Sequence, residues 1–289
     1  MGRKLEFYEE VERSLQTTYR TRLWQPFVGA IKEYELIQEG DRIAVCISGG
    51  KDSMLMAKLM QKLEAHSDIP FSCSFLVMDP GYNTENRKKI EDNAALLNIP
   101  VQIYESDIFA IANNEEKSPC YLCARMRRGF LYSKARELGC NKIALGHHFD
   151  DVIETTLMGM FFASQLQGML PKLHSDNFEG MELIRPMYKV HEEDIIAWKN
   201  HHGLEFLQCA CRFTENVSAD DAAVSSKRKE MKELIKRLKK DTPELDRSIF
   251  NSIHAVCLDT MPGWKSGKVK HSFLENYDSG AKRQGRIEI

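Results

Sequence analysis

A glycine- and lysine-bearing hexapeptide and two tight cysteine groups hold most of the chemistry that can be read from this chain. Ser48-Gly49-Gly50-Lys51-Asp52-Ser53 follows the apolar run Ile43-Ala44-Val45-Cys46-Ile47 and precedes a helical pattern through Met54, Leu55, Leu59 and Leu63. Open α/β sheets bind ligands at the carboxyl ends of their strands, in loops placed like this one. Two glycines let the backbone approach an anion closely, and the helix start adds free N–H groups at the positive end of its dipole. Ser48 and Ser53 bring hydroxyl donors, and Lys51 brings a mobile positive charge. Together they make a phosphate site.

The hexapeptide is not the P-loop of ordinary NTPases, which needs a glycine five residues before its Gly-Lys pair and Ser or Thr directly after it. Val45 and Asp52 stand in those places, and the spaced glycines of a dinucleotide fold are also missing. The plain alternative is a glycine turn after a strand, which the strand–loop–helix context argues against. A second block, Gly146-His147-His148-Phe149-Asp150-Asp151, follows another short apolar run, with Glu154-Thr155 one turn further on. It should end beside the same pocket. Asp150 or Asp151 also reads as a helix cap, a role compatible with that placement, whereas His148 is expected to face solvent.

Eight cysteines divide into two groups. Cys46, Cys73, Cys140 and Cys257 lie in or after apolar segments and read as small buried hydrophobes. Cys120-Tyr121-Leu122-Cys123 opens a helix after Pro119, so its two thiols share one face and can chelate one ion. Cys209-Ala210-Cys211 follows the short apolar pair Phe206-Leu207. A lone Cys-x-x-Cys serves zinc, iron–sulfur and redox chemistry alike, but paired with a second cluster it becomes a good metal-site candidate. Spacing alone favours structural zinc, with an iron–sulfur cluster as the alternative.

The elements that position these residues alternate. Apolar runs at 43–47, 71–78, 101–104, 142–145 and 181–184 read as strands, and helical patterns follow each of them, over residues such as 125–138, 150–162 and 192–202. That order predicts an α/β fold, a parallel Rossmann-like sheet with helices on both faces. Ahead of it, residues 1–40 read as two helices, the second opened by Pro26 and running through Leu36 to Gly40. Behind a core domain over 41–215, residues 216–262 read as helices, one of them basic and capped by Ser225 and Ser226. Residues 263–289 read as a basic, mobile tail.

A hydrophobic share of 43% and a charged share of 28% belong to a globular protein, and no apolar stretch approaches the roughly 20 residues of a membrane helix. No secretory leader is visible, which predicts a cytoplasmic location without membrane contact, where disulfides are rare. The net charge of −2 is silent about nucleic acid, because RNA binding needs a local basic patch only. Arg13, Arg20, Arg22 and Lys32 near the start, and the basic residues of 227–240 and the tail, are candidates for RNA backbone contact. Phe161, Phe162 and Trp198 are aromatics available for stacking, although core packing is their plainer role.

The hexapeptide resembles the pyrophosphatase loop of PP-loop enzymes. Cys120-Tyr-Leu-Cys123-Ala-Arg125-Met-Arg127-Arg128-Gly129, Ala144-Leu-Gly-His-His, Pro171-Lys172-Leu173 and Ile184-Arg185-Pro186 resemble the tRNA 2-thiocytidine synthetase (TtcA-like) family over about residues 15–211. The resemblance implies that ATP is cleaved between its α and β phosphates and that AMP passes to the C2 oxygen of a cytidine, which sulfur then replaces. It implies ATP bound by Ser48, Gly49, Gly50, Lys51, Asp52, Ser53, Gly146 and His147, with Lys51, Asp52 and Asp151 catalytic and Asp52 near a Mg2+. It also implies a [4Fe-4S] cluster in place of zinc, on Cys120, Cys123 and a third cysteine. Cys211 is favoured for that third place, with Cys209 as the alternative, since family members often carry Cys-x-x-Cys where this chain has Cys209-Ala210-Cys211. The implied partners are a tRNA anticodon loop, a sulfur donor such as a cysteine desulfurase or free sulfide, and a second copy of the chain. Rival readings are a 2-thiouridine or lysidine enzyme, a zinc-bearing PP-loop ligase, and a nucleotide sensor without chemistry.

Overall fold

The computed structural model describes residues 3–113, 119–207 and 219–277. The chain forms two compact units, 1–236 and 237–289.

The first unit is built on a sheet of six strands in the order β3-β2-β1-β4-β6-β5. These are β1 (Arg42–Ile47), β2 (Ser72–Asp79), β3 (Val101–Glu105), β4 (Lys142–Ala144), β5 (Lys172–His174) and β6 (Glu182–Ile184). Five run parallel, and β5 pairs antiparallel with β6 at the edge. The parallel sheet expected from the alternating pattern is therefore present, with one short antiparallel edge strand added. Crossovers from β1 lead to β2 on one side, while β4 lies on the other, so the strand order reverses between β1 and β4. A crevice must open there, at the carboxyl ends of both strands.

Burial on both faces explains why β1 reads as one apolar run. Ile43, Val45 and Ile47 point into a core shared with α1 (Phe7–Gln16), α2 (Gln25–Glu33), α3 (Lys51–His66) and α8 (Glu192–His201). Ala44 and Cys46 point to the opposite face, against Tyr132 and Ala135 of α6 (Pro119–Glu137). Further helices are α4 (Thr84–Leu96), the short α5 (Ile108–Asn113) and α7 (Phe149–Phe162). Burial pushes the Cys46 thiol up to about 12, so this cysteine is an inert hydrophobe, as its surroundings suggested.

Two buried lysines tie the layers together away from the crevice. Lys58 Nζ meets Glu12 at 2.6 Å and the Leu97 carbonyl at 2.8 Å. Lys142 Nζ, at the start of β4, meets Asp41 at 2.8 Å, Glu182 at 3.2 Å and the Leu36 carbonyl at 3.0 Å. Leu36 is buried but not helical: α2 stops at Glu33, and Glu35 takes a left-handed φ of 50°. Between α1 and α2, Arg20–Trp24 forms a π-helical turn, which aims the Tyr19 hydroxyl at the Ala197 carbonyl, 3.0 Å away.

The C-terminal third of the sequence departs further from expectation. α9 spans Ala219–Leu238, so Ser225 and Ser226 lie inside the helix and do not cap it. In the second unit, α10 (Leu245–His254) ends before Val256 and Cys257, leaving both exposed. Cys257 is not the buried hydrophobe expected. Nor is residue 263 onward wholly a structureless tail: β7 (Gly263–Ser266) and β8 (Val269–Ser272) form an antiparallel hairpin turned at Gly267, φ 60°. Trp264 stacks on His271 across it at 5.1 Å. Among the described residues no helix is long and apolar enough to cross a membrane.

Trp198 is fully buried and stacks on Phe206 at 6.2 Å, which removes it from the stacking aromatics available to a ligand. Trp198→Ala is expected to lower stability by about 3–5 kcal/mol, read from the urea midpoint at unchanged slope.

Candidate nucleotide and thiol site

The phosphate loop is held by its own side chains. Ser48 donates its N–H to Ser53 Oγ at 3.1 Å, and Ser53 Oγ donates to the Gly50 carbonyl at 3.0 Å, closing a small ring at the entrance to α3. Gly49 has φ +84°, and a Cβ there would lie 2.7 Å from Ile90 Cγ1. Gly50 occupies the cap position of α3, so the N–H groups of Lys51, Asp52 and Ser53 form its first turn, where they lack intrahelical partners.

Gly146 sits where β4 leaves the sheet. A Cβ on it would stand 3.1 Å from the Ser53 nitrogen and 3.3 Å from the Asp52 carbonyl carbon. The glycine is thus needed for close packing against α3, in addition to any contact with a base. Between these two strand ends opens a cavity of about 360 Å3. Ser48, Asp52, Ser53, Gly146 and His147 line one side of it, and Ala124, Arg127 and Arg128 of α6 line the other. Gly49, Gly50 and Lys51 flank it. Arg125, grouped with those arginines in the sequence, is exposed and does not line the cavity.

Lys51 Nζ is already engaged, 3.0 Å from Asp52 and 3.1 Å from Glu192. Burial alone would lower its pKa, but the two carboxylates outweigh that and raise it. Asp52 Oδ1 is buried without a hydrogen-bond partner among the described residues. Asp151 is held by Arg228 of α9 at 2.6 Å and accepts the His148 N–H at 3.1 Å. Its carboxyl stays below the usual range: burial opposes ionisation, and the charges of His148 and His147 overcome it.

His148 corrects an expectation. It is only 5% exposed, with ring nitrogens 3.4 Å from Asp151, 3.6 Å from Asp150 and 3.9 Å from Asp52. Burial would lower its pKa, and the three carboxylates raise it above the ordinary value instead. His147 lies half-buried on the cavity wall, where burial, then Arg185, push it down to about 4. At neutral pH His147 is therefore a neutral cavity lining, while the carboxylates around its neighbour shift that imidazole the opposite way.

Cys123 is buried beside Met78, Ile108 and Phe109, one turn before Arg127 on α6. The Cys120 side chain, Cys209 and Cys211 lie outside the described residues. The last described residue before the second cysteine group, Leu207, donates its N–H to the Gly49 carbonyl at 3.1 Å. Three participants escaped the sequence: Glu192, Arg228 and Lys232, the last also paired with Glu192. Arg228 and Lys232 stood in a helix read only as basic, and no local signal pairs α9 with residues some 40 to 80 positions away.

Residues 12–212 match the PP-loop domain family. Over 250 residues the chain is 36% identical to the tRNA-cytidine(32) 2-sulfurtransferase of Geotalea uraniireducens (strain Rf4), covering 85% of this chain and 94% of that one. It is 37% identical over 230 residues to the enzyme of the same name from Syntrophotalea carbinolica (strain DSM 2380 / NBRC 103641 / GraBd1), covering 78% and 86%. Among solved structures, the fold is shared with the U34-tRNA thiolase NcsA from Methanococcus maripaludis with its [4Fe-4S] cluster, at TM-score 0.61 and 21% identity over 90% of this chain and 81% of that one.

The buried carboxyl of Glu154 gives the site a measurable pH signature. Burial pushes it up to about 7, against the pull of Arg228. Its protonated form contributes stability that is complete below about 4.5 and is lost as pH rises through 7. Glu154→Gln should therefore gain in thermal stability relative to the parent between pH 5 and 8. A melting-temperature difference flat across that window would contradict the assignment.

Proposed function

The chain belongs to the PP-loop family and, within it, to the tRNA-cytidine(32) 2-sulfurtransferases, and from that premise we propose that it replaces the C2 oxygen of a tRNA cytidine by sulfur at the expense of ATP. The observation that carries this reading is the shared cavity: the phosphate loop forms one wall, and the helix that begins with Cys120 and Cys123 forms the other.

ATP would lay its β and γ phosphates on the loop, where the first-turn N–H groups of α3, the Ser48 and Ser53 hydroxyls and Lys51 converge on an anion. The cytidine C2 oxygen attacks the α phosphorus, the α–β bond breaks and pyrophosphate leaves, so that O2 carries AMP. Sulfide then adds at C2, and the C–O bond breaks to release AMP. Arg127 and Arg128 on the facing wall meet the charge of the α phosphate or of the RNA backbone. His147, neutral on the half-buried cavity wall, can hydrogen-bond a phosphoryl oxygen.

Asp52 fits a divalent cation, because its buried Oδ1 has no hydrogen-bond partner among the described residues; a bound Mg2+ would screen the triphosphate there. Cys123, in an apolar wall, fits a soft metal centre. With Cys120 and either Cys211 or Cys209 it would hold a [4Fe-4S] cluster, whose open iron would carry the sulfur. A cysteine desulfurase or free sulfide as donor, a homodimeric state and a cytoplasmic setting complete the reading.

The test is to purify the chain without oxygen, assay iron, sulfide and zinc, and supply ATP, sulfide and unmodified tRNA. About four irons and four sulfides per chain are expected, with 2-thiocytidine in the digested tRNA by mass spectrometry. Cys123→Ser should lose both cluster and product. Lys51→Ala should retain the cluster and slow pyrophosphate release by about 100- to 1000-fold. Stoichiometric zinc without iron, or pyrophosphate release with no thionucleoside, would overturn the proposal.

A further inference from the structure

The last turn of α7 and the loop behind it hold large apolar side chains in solvent. Phe161 is 59% exposed, Phe162 43% and Leu170 64%. The segment is nevertheless built firmly. Ala163 and Gln165 both donate N–H groups to the Gly159 carbonyl, at 3.2 and 3.0 Å. A Cβ on Gly159 would stand 2.9 Å from the Gln165 carbonyl oxygen, so the glycine lets the loop fold back over its own helix. Farther along, Tyr188 donates to the Met169 carbonyl at 2.7 Å, and Arg185 donates to that of Leu170. Apolar rings fixed outward in this way stay in water at a cost, and contiguous exposed apolar surface marks a binding face.

Charge indicates what covers it. Lys227 of α9 places its ammonium 5.0 Å from the centre of the Phe162 ring. One turn apart on the same helix, Arg228 and Lys232 are committed to Asp151, Glu154 and Glu192. Among the described residues Lys227 forms no ion pair, which leaves a free cation beside an exposed ring. Aromatic faces beside unneutralised cations are the combination that grips single-stranded nucleic acid, rings taking bases and cations taking phosphates.

Distance separates this patch from the cavity. Phe162 stands eleven residue steps along α7 from Asp151, which at a rise of 1.5 Å per step is about 16 Å. A base reacting in the cavity cannot also stack there. We propose that Phe161 and Phe162, with Lys227, form a stacking platform for unpaired bases flanking the one that enters the cavity. The proposal rests on the tRNA-thiolase reading and adds to it the surface that receives the RNA.

The experiment is equilibrium binding of an unmodified tRNA transcript to the whole chain, followed by fluorescence anisotropy at several salt concentrations, with ATP affinity as the check on folding. Phe161→Ala is expected to weaken tRNA binding by about 5- to 100-fold and Phe161→Tyr to restore it, the mark of a lost base stack. Lys227→Gln should weaken binding independently and reduce the salt slope by about 1. ATP affinity should not move in any of the three. Equal tRNA affinity of parent, Phe161→Ala and Lys227→Gln would overturn the platform while leaving the thiolase reading intact. If Phe161→Ala in that case also converts a dimer to a monomer, the patch is a contact between copies. A parent chain that binds no tRNA would overturn both readings together.

Discussion

The crevice exists because β1 and β4 run side by side in the same direction while their crossovers leave on opposite sides, and because β4 exits within van der Waals reach of the first turn of α3. That second condition is severe. At Gly146 there is no room for even a methyl group without pushing the Asp52–Ser53 backbone aside. The same contact that packs helix to strand therefore sets the width of the cavity, and the loop, α3 and the β4 exit form one rigid wall. α6 crosses the sheet on the other face and completes the enclosure with Arg127 and Arg128.

Around this wall the chain gathers charge at the start of α7. One buried imidazole has carboxylates on three sides, and the carboxylates themselves are tied outward: Asp151 to Arg228, Asp150 to the N–H of Glu192 at 2.7 Å. Each tie belongs to a different element, so the network joins α3, α7, α8 and α9 at one point. On either side of the second cysteine group, the described chain is fastened to this assembly, at Leu207 through Gly49 and at Arg228 through Asp151.

The central architecture was legible because fully buried parallel strands leave an unmistakable mark: β1 is apolar from Ile43 to Ile47, and the glycine loop begins where it stops. The same logic explains the misses. β5 is three residues at an edge, Lys172-Leu173-His174, with two of them exposed, so it carries no apolar run to read. The β7–β8 hairpin is polar, and its stability comes from a turn glycine and a Trp264–His271 pair that no periodicity reveals. His148 next to His147 differs from it in no way that the sequence shows. Only the convergence of Asp52, Asp150 and Asp151 raises the pKa of the one, while burial and Arg185 lower that of the other. The PP-loop hexapeptide was readable as a loop between strand and helix, whereas the charges around it were not, since Glu192, Arg228 and Lys232 arrive from helices far along the chain.

The pairing of Lys51 with both Asp52 and Glu192 gives the site the character of an ion exchanger. An arriving polyphosphate does not meet a bare ammonium; it must take that ammonium from two carboxylates that hold it equally well. What it gains in Coulomb energy is the difference between two sets of contacts, a small remainder of large terms. Charge alone therefore discriminates poorly here, and inorganic phosphate or a dinucleotide has no advantage from its negative charge as such. Under the proposed function, selectivity would fall to shape, to the fit of a triphosphate against the Gly49–Gly50 backbone and of a nucleoside in the cavity behind it.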